Sequence, residues 1–273
     1  MAGAQPVVDR ITWLAGDTIT GPGPGPATRP SDRLLDWLTP RLPGITHERV
    51  VANAKRSWIL IERGDPVCHA SAVRSPQREA LAYFSNTRPM PPLQVVVRQD
   101  RLTAFPVDAA GQIDLPALLA MPRLQGVLVQ GRSYGPVLDA QLEQGAPLGH
   151  VQRVTSGDFG SNVLPMLLQG RADYALEYPN ALIALASQRP EVASLAMLPI
   201  RGATELVISG VACPRTPWGR AAIRRIDAVL GTPEGAALLR ETLMSELPAD
   251  SRRAYREAID SFFQRRAQPT PGL

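Results

Sequence analysis

Arg78 is the residue here best placed to do chemistry. It lies in CHASAVRSPQREALAYFSNTRPMPPLQVVVR (68–98), which reads as strand, short polar turn, basic helix, aromatic-serine turn, paired prolines and strand. Arg78 falls at the start of the short helix, just past a strand end. A guanidinium fork there fits a carboxylate, and N–H groups at a helix start favour the same anion. The plainer reading is a solvated first-turn residue paired with Glu79 or Asp65 for little energy. Glu177, in the segment RADYALEYP (171–179), is the second candidate. It reads either as a site carboxylate or as a structural acid bonded to Tyr174 or Tyr178. The third is Gly131-Arg132-Ser133-Tyr134-Gly135, a glycine-flanked turn that lacks the Lys-Ser/Thr ending of a nucleotide loop, so nucleotide binding is rejected there.

Other reactive residues point to less. Cys68 and His69 are sequence neighbours on a strand, so they face opposite ways and do not form a nucleophile–base pair. His47, His69 and His150 have no metal-binding spacing, and no cofactor is implied. The 273 residues suffice for one large domain or two small ones, with ordinary apolar (44%) and charged (20%) fractions. Net charge is +4, carried almost entirely by arginine, with Lys55 the only lysine. Aromatics are sparse and arginines alternate with acids, so no nucleic-acid partner is expected. No apolar run is long enough to span a bilayer. MAGAQPVVDR shows no basic stretch followed by an apolar core, so no secretory signal is visible.

The elements that must position these residues alternate. VVDRITWLAG reads as a first strand, followed by GPGPGP (21–26), an extended loop. A helix over DRLLDWLTPRL, capped by Ser31 or Asp32, comes next. ERVVAN, PVCHASAV and LQVVVRQDRL read as further strands, and KRSWILIERG as a helix closed by Gly64. Trp37 and Trp58 read as core. A second series from about residue 108 alternates short strands and helices, with GDFGS (157–161) as a turn, and predicts an α/β architecture with parallel sheets. ELVISGVACPR (205–215) returns as a strand before a run of helices. DSRRAYREAIDSFFQRR reads as one solvated amphipathic helix and AQPTPGL as a disordered end. The expected division is residues 1–97 plus 210–273 as lobe one and 98–209 as lobe two. The strands near 93–98 and 205–213 would be the crossings of a hinge around a cleft.

These segments resemble the type II periplasmic solute-binding proteins, in particular the amino-acid-binding group (extracellular solute-binding protein family 3). SAVRSPQREALAYFSNTRP is similar to that group's turn-helix-turn, with Ser75, Arg78, Phe84 and Ser85 at matching positions. QGVLVQGRSYGPVLDA resembles the strand and glycine-serine loop of lobe two. LLQGRADYALEYPNAL resembles the segment whose strand ends in an acidic residue, here Glu177. The resemblance implies a two-lobed type II fold with two hinge crossings. It implies a site of Arg78 as anion clamp, Ser71, Val73, Arg132, Ser133 and Tyr134 around it, and Glu177 for an ammonium group. Trp13 and Asp17 would flank it from the loop after the first strand. It also implies that the returning strand lies beside the third, bringing Cys68 and Cys213 together as a disulfide or a buried free pair. The expected role is capture of a small anionic or zwitterionic solute in the periplasm, its export signal removed, for an ABC-type permease. A sensory module, and a dehydratase-like enzyme using Glu177 or His69, are the alternatives.

Overall fold

The structure, a computed structural model, describes residues 6–15, 30–144, 149–155, 163–186 and 189–273. Asp17, GPGPGP (21–26) and the turn expected at 157–161 lie outside the described residues. From the N-terminus, β1 (Arg10–Ala15) leads to α1 (Pro30–Leu38), β2 (Thr46–Val51), α2 (Ala54–Glu62), β3 (Val67–Val73), the single turn α3 (Pro76–Glu79) and β4 (Ala82–Met90). The chain continues through β5 (Gln94–Arg98), α4 (Leu115–Leu119), β6 (Gly126–Val129), α5 (Pro136–Gln144), β7 (Val151–Val154), α6 (Val163–Leu168), β8 (Tyr174–Glu177), α7 (Pro179–Ala186) and β9 (Leu195–Leu198). It closes with β10 (Val207–Pro214), α8 (Pro217–Leu230), α9 (Pro233–Glu246), α10 (Ala249–Ala254) and α11 (Arg256–Arg266).

The described strands form two five-stranded sheets, in the orders β2-β1-β3-β10-β4 and β7-β6-β8-β5-β9. Each is mixed rather than parallel. β1 runs parallel to β2 and β3, and β6 to β7 and β8, whereas β10 and β5 run against both of their neighbours. A parallel neighbour in sequence needs a helical crossover. β5 and β10 instead arrive from the other sheet through extended links and are free of that constraint. Their pairing also moves the expected boundary. β5, placed in lobe one by a division after residue 97, belongs to the second sheet, and β10 already joins the first sheet at Val207. The links are therefore the segment around Pro91-Pro92 and the stretch between β9 and β10.

Each sheet carries apolar side chains on both faces. Trp13, Leu35, Cys68, Ile223 and Phe263 share one core on the first sheet; Leu14, Ile61, Ala72 and Phe84 share the other. Leu93, Leu128, Tyr134 and Tyr174 fill one face of the second sheet, and Val96, Val127 and Leu164 the other. No helix among the described residues is long and apolar enough to cross a membrane.

Several sequence readings give way. Ser31 and Asp32 lie inside α1 instead of capping it. The segment expected as an aromatic-serine turn is the nine-residue β4. Pro89 argues against a strand interior, but β4 is an edge strand, where a missing N–H is tolerated. The expected C-terminal helix is two helices, broken at Tyr255. It is also not wholly solvated, and the end of the chain is packed down. Arg266, 4% exposed, stands 3.0 Å from the Asp227 carboxylate and donates to the Asn86 carbonyl at 2.7 Å. Ser85 Oγ donates to Asp227 Oδ1 at 2.6 Å, and Thr270 N to Asp227 Oδ2 at 2.6 Å. One buried carboxylate thus ties α8, β4 and the terminal segment together.

Cys68 on β3 and Cys213 on β10 form a disulfide across 145 residues, fully buried in the core of the first sheet. A loop that long restricts the unfolded chain strongly, a contribution of about 2–5 kcal/mol. Urea unfolding with and without reductant is expected to differ by that amount, and alkylation before reduction should label neither thiol. Two labelled thiols in the unreduced native protein would contradict the bridge.

Candidate functional site

The site is built where the two sheets point their strand ends at each other. On the first sheet, Gly210 pairs with Ala72 and Ala212 with His69, so two residues of β3, Ala70 and Ser71, stand opposite one residue of β10. Such a bulge bends a strand and redirects the chain beyond it. The redirected chain holds Val73 and then α3, capped by Ser75, whose Oγ accepts from Arg78 N at 3.4 Å. α3 is one turn long, and this bond uses one of its leading N–H groups. The Arg78 side chain folds over the strand end: Nη1 donates to the Val73 carbonyl at 3.0 Å and Nη2 to the Gly131 carbonyl at 3.2 Å. The second of these bonds reaches the other lobe.

Beneath Arg78 lies Trp58 of α2, its ring centroid 4.4 Å from the guanidinium carbon. A cation over an indole face is stabilised by about 0.5–2 kcal/mol. The sequence reading assigned Trp58 to the core, and it does pack against the Leu14–Phe84 core; its second role, as a ring beneath Arg78, follows from α2 and α3 lying on the same side of the sheet. No carboxylate pairs with Arg78 among the described residues: Glu79 is bound by Arg74 and Asp65 lies by Arg63. Desolvation therefore lowers the Arg78 guanidinium to about 10; Asp139 and Tyr178 oppose the shift and Arg132 adds to it.

The second lobe contributes the turn after β6. Gly131 has φ +78°, and a Cβ there would sit 3.0 Å from the Lys55 backbone nitrogen at the start of α2. Glycine is what lets the two lobes touch at this point. Arg132 reaches the end of the adjacent β8 and binds Glu177 through both nitrogens, Nη2 to Oε2 at 2.9 Å and Nη1 to Oε1. The pair is deeply buried, Arg132 10% and Glu177 1% exposed at the side chain. Desolvation by itself would lower the Arg132 guanidinium, but the charge and hydrogen bonds of Glu177 outweigh it and raise it above the ordinary arginine value. Rings of Tyr134 and Tyr178 lie 5.3 Å and 5.7 Å from the Arg132 guanidinium carbon. Glu177 is thus a structural acid, bonded to Arg132 and to the Tyr178 backbone N–H at 3.1 Å, rather than the open ammonium acceptor that the sequence also suggested.

The other donors of the turn are also engaged. Asp139, which sequence reasoning missed, accepts from Ser133 Oγ and from Tyr134 N at 2.7 Å. Gly135 N donates to Ser133 Oγ at 3.3 Å. Tyr134 is 2% exposed, and its hydroxyl accepts from Val129 N at 2.7 Å, so its ring anchors the turn to the lobe-two core. Tyr178, immediately after β8, packs against the cores of both lobes. Its buried hydroxyl has no hydrogen-bond partner among the described residues, and burial pushes it up to about 12, with Arg132 opposing the shift.

Other expected site residues lie elsewhere. Trp13 is fully buried in the first sheet's core and donates to His47 Nδ1 at 3.1 Å, because β1 turns that face toward α1 and α8. Ser71 is exposed in a small cleft beside Ser31, Thr87 and Thr242, on the α1–α9 side, whereas Trp58 and Arg78 lie on the α2 side. Val73 contributes its carbonyl rather than its side chain. Asp17 lies outside the described residues. A separate cavity of about 310 Å³ touches both lobes and both links, with Arg74, Glu79, Leu93, Tyr134, Val137 and Ile208 on its walls. It includes neither Arg78 nor Glu177.

Two α/β lobes around mixed sheets, joined by two extended links and meeting at their strand ends, define the periplasmic-binding-protein-like type II fold. Solved structures share it at low sequence identity. An ancestral arginine-binding protein bound to arginine is 12% identical over 88% of this chain and 99% of its own (TM-score 0.64). A putative L-cystine ABC transporter from Listeria monocytogenes is 17% identical over 89% and 98% (TM-score 0.64). The periplasmic VFT2 domain of BvgS from Bordetella pertussis is 17% identical over 86% and 93% (TM-score 0.56). No family model matches the sequence. No curated protein matches it either.

His69, on β3, is 2% exposed; its Nδ1 accepts from Ser71 N at 3.1 Å. Desolvation, and then the charge of Arg78, lowers its imidazole from 6.5 to about 3. Between those values the unfolded chain takes up a proton that the folded one refuses, so stability falls as pH drops through this window, by up to about 1.4 kcal/mol per pH unit. Urea unfolding at pH 7, 5 and 4 should show a shallower acid loss for His69→Gln than for the wild type; parallel losses would contradict a neutral buried imidazole. Arg132→Ala, which strands the Glu177 charge, should cost about 3–5 kcal/mol in the same assay at pH 7. A loss under about 1 kcal/mol would mean that the pair is solvated.

Proposed function

We propose that this protein is a solute-binding module that holds a small carboxylate-bearing molecule between its lobes, with Arg78 as the clamp. One observation carries the reading. Arg78 is a half-buried cation at the lobe junction with two backbone carbonyls on it and, among the described residues, no carboxylate. A ligand carboxylate supplies the missing charge and can take both guanidinium nitrogens at once. Tyr178, within electrostatic reach of Arg78 and with an unpartnered hydroxyl, supplies a further donor. Such a ligand would replace the Gly131 carbonyl on Arg78 and remain bridged to both lobes, the arrangement by which hinge closure captures a solute.

Delivery to an ABC-type permease in the periplasm is the first role we propose for such a module. Signalling is the second reading, favoured by the direct Arg78–Gly131 bond. A ligand that replaces a lobe-to-lobe bond changes the angle between the lobes, and an attached domain can read that angle.

A thermal-shift series of monocarboxylates, dicarboxylates and cyclic acids tests the reading. An acid at about 100 times its dissociation constant adds about 2.7 kcal/mol of stability. The shift should vanish in Arg78→Ala. An acid that stabilises Arg78→Ala as much as the wild type would remove Arg78 from the site.

A further inference from the structure

We infer that Arg132 is a built-in cation that restricts the cleft to carboxylates lacking a neighbouring amine. The inference rests on Arg78 being the clamp and names what the clamp accepts. Among the described residues, Glu79 beside the clamp is bound by Arg74, and the two carboxylates behind the lobe-two turn, Glu177 and Asp139, have a donor on each of their four oxygens. Glu177 Oε1 takes Arg132 Nη1, and Oε2 takes Arg132 Nη2 and Tyr178 N. Asp139 Oδ1 takes Tyr134 N, and Oδ2 takes Ser133 Oγ. Among the described residues here, one cation without a carboxylate, Arg78, and one unpartnered hydroxyl, that of Tyr178, remain open. An acid satisfies both. An amino acid brings an ammonium group that finds no free carboxylate among these groups and faces two guanidiniums.

To seat that ammonium on Glu177, Arg132 would have to leave a buried bidentate pair. Its guanidinium would then lie desolvated between Tyr134 and Tyr178 with no counter-charge. Stranding one member of such a pair weakens binding by about a hundredfold or more. Removing the side chain reverses the logic: Glu177 becomes an open acceptor, shaped for a planar cation flanked by aromatic rings.

Calorimetric titration of skeleton-matched pairs tests this, glutarate against glutamate and propionate against alanine. In the wild type the amine-bearing member of a pair should bind at least about a hundredfold more weakly than its deaminated partner. In Arg132→Ala that gap should close, and methylguanidinium should raise the melting temperature of the variant while leaving the wild type unmoved. Arg132→Ala/Glu177→Gln buries no lone charge, which guards against a fold that fails. It should keep acid binding and gain neither amino-acid nor methylguanidinium binding. Wild type that binds glutamate as tightly as glutarate, or an Arg132→Ala variant indifferent to methylguanidinium, overturns the inference and leaves the clamp standing. Acid binding that survives Arg78→Ala, or no acid binding at all, instead fails the clamp and the inference with it.

Discussion

Two guanidiniums are partly or wholly withdrawn from water at one junction, and among the described residues only one of them has a carboxylate. That imbalance sets the other features of the site. Desolvating a charge is costly unless it is paired, and Arg132 meets that condition with Glu177 inside its own lobe. Arg78 does not, and is held by what a strand end, a turn and an indole ring can offer: two carbonyl dipoles and a π face. The asymmetry distinguishes a structural cation from one with capacity left for a ligand.

The scaffold explains why Arg78 stays there. The β3 bulge turns the chain toward the junction, and the adjacent β10 is locked to β3 by the Cys68–Cys213 bridge. On the far side of β10, Asp227 and Arg266 fix β4 and the terminal segment. In lobe two the turn is held by Tyr134, Asp139 and the Arg132–Glu177 pair, so the Gly131 carbonyl is presented in one place. His69 lies within the field of Arg78, and its imidazole stays neutral beside that charge.

Much of the architecture was legible because it is local. Alternating β-branched runs, glycine-closed helices and the paired prolines mark most strands, helices and one of the two links. The misses share a cause. β4 has a strand's burial only because β10 covers it, and β9, among the residues before the second link, went unread because its partner β5 lies nearly a hundred positions away. Trp58 and the tail's attachment to Asp227 likewise depend on pairings that no short window contains, whereas Asp139 lies only five and six residues from its partners Tyr134 and Ser133. Of the site, Arg78 was legible as a cation after a strand end and Glu177 as an acid at another. That Arg132 would bind Glu177 was not, because it depends on β6 and β8 being neighbours. Trp13 misled for another reason: it lies just before the loop after β1 that was expected to flank the site, but strand alternation sends it to the other face.

The difference between the two arginines is tested most sharply by a crystal structure with a bound dicarboxylate such as glutarate. One carboxylate is expected on the Arg78 guanidinium, within hydrogen-bond distance of the Tyr178 hydroxyl, with the Arg132–Glu177 pair unbroken. A carboxylate seated on Arg132, with Glu177 displaced and Arg78 still on its two carbonyls, would contradict it.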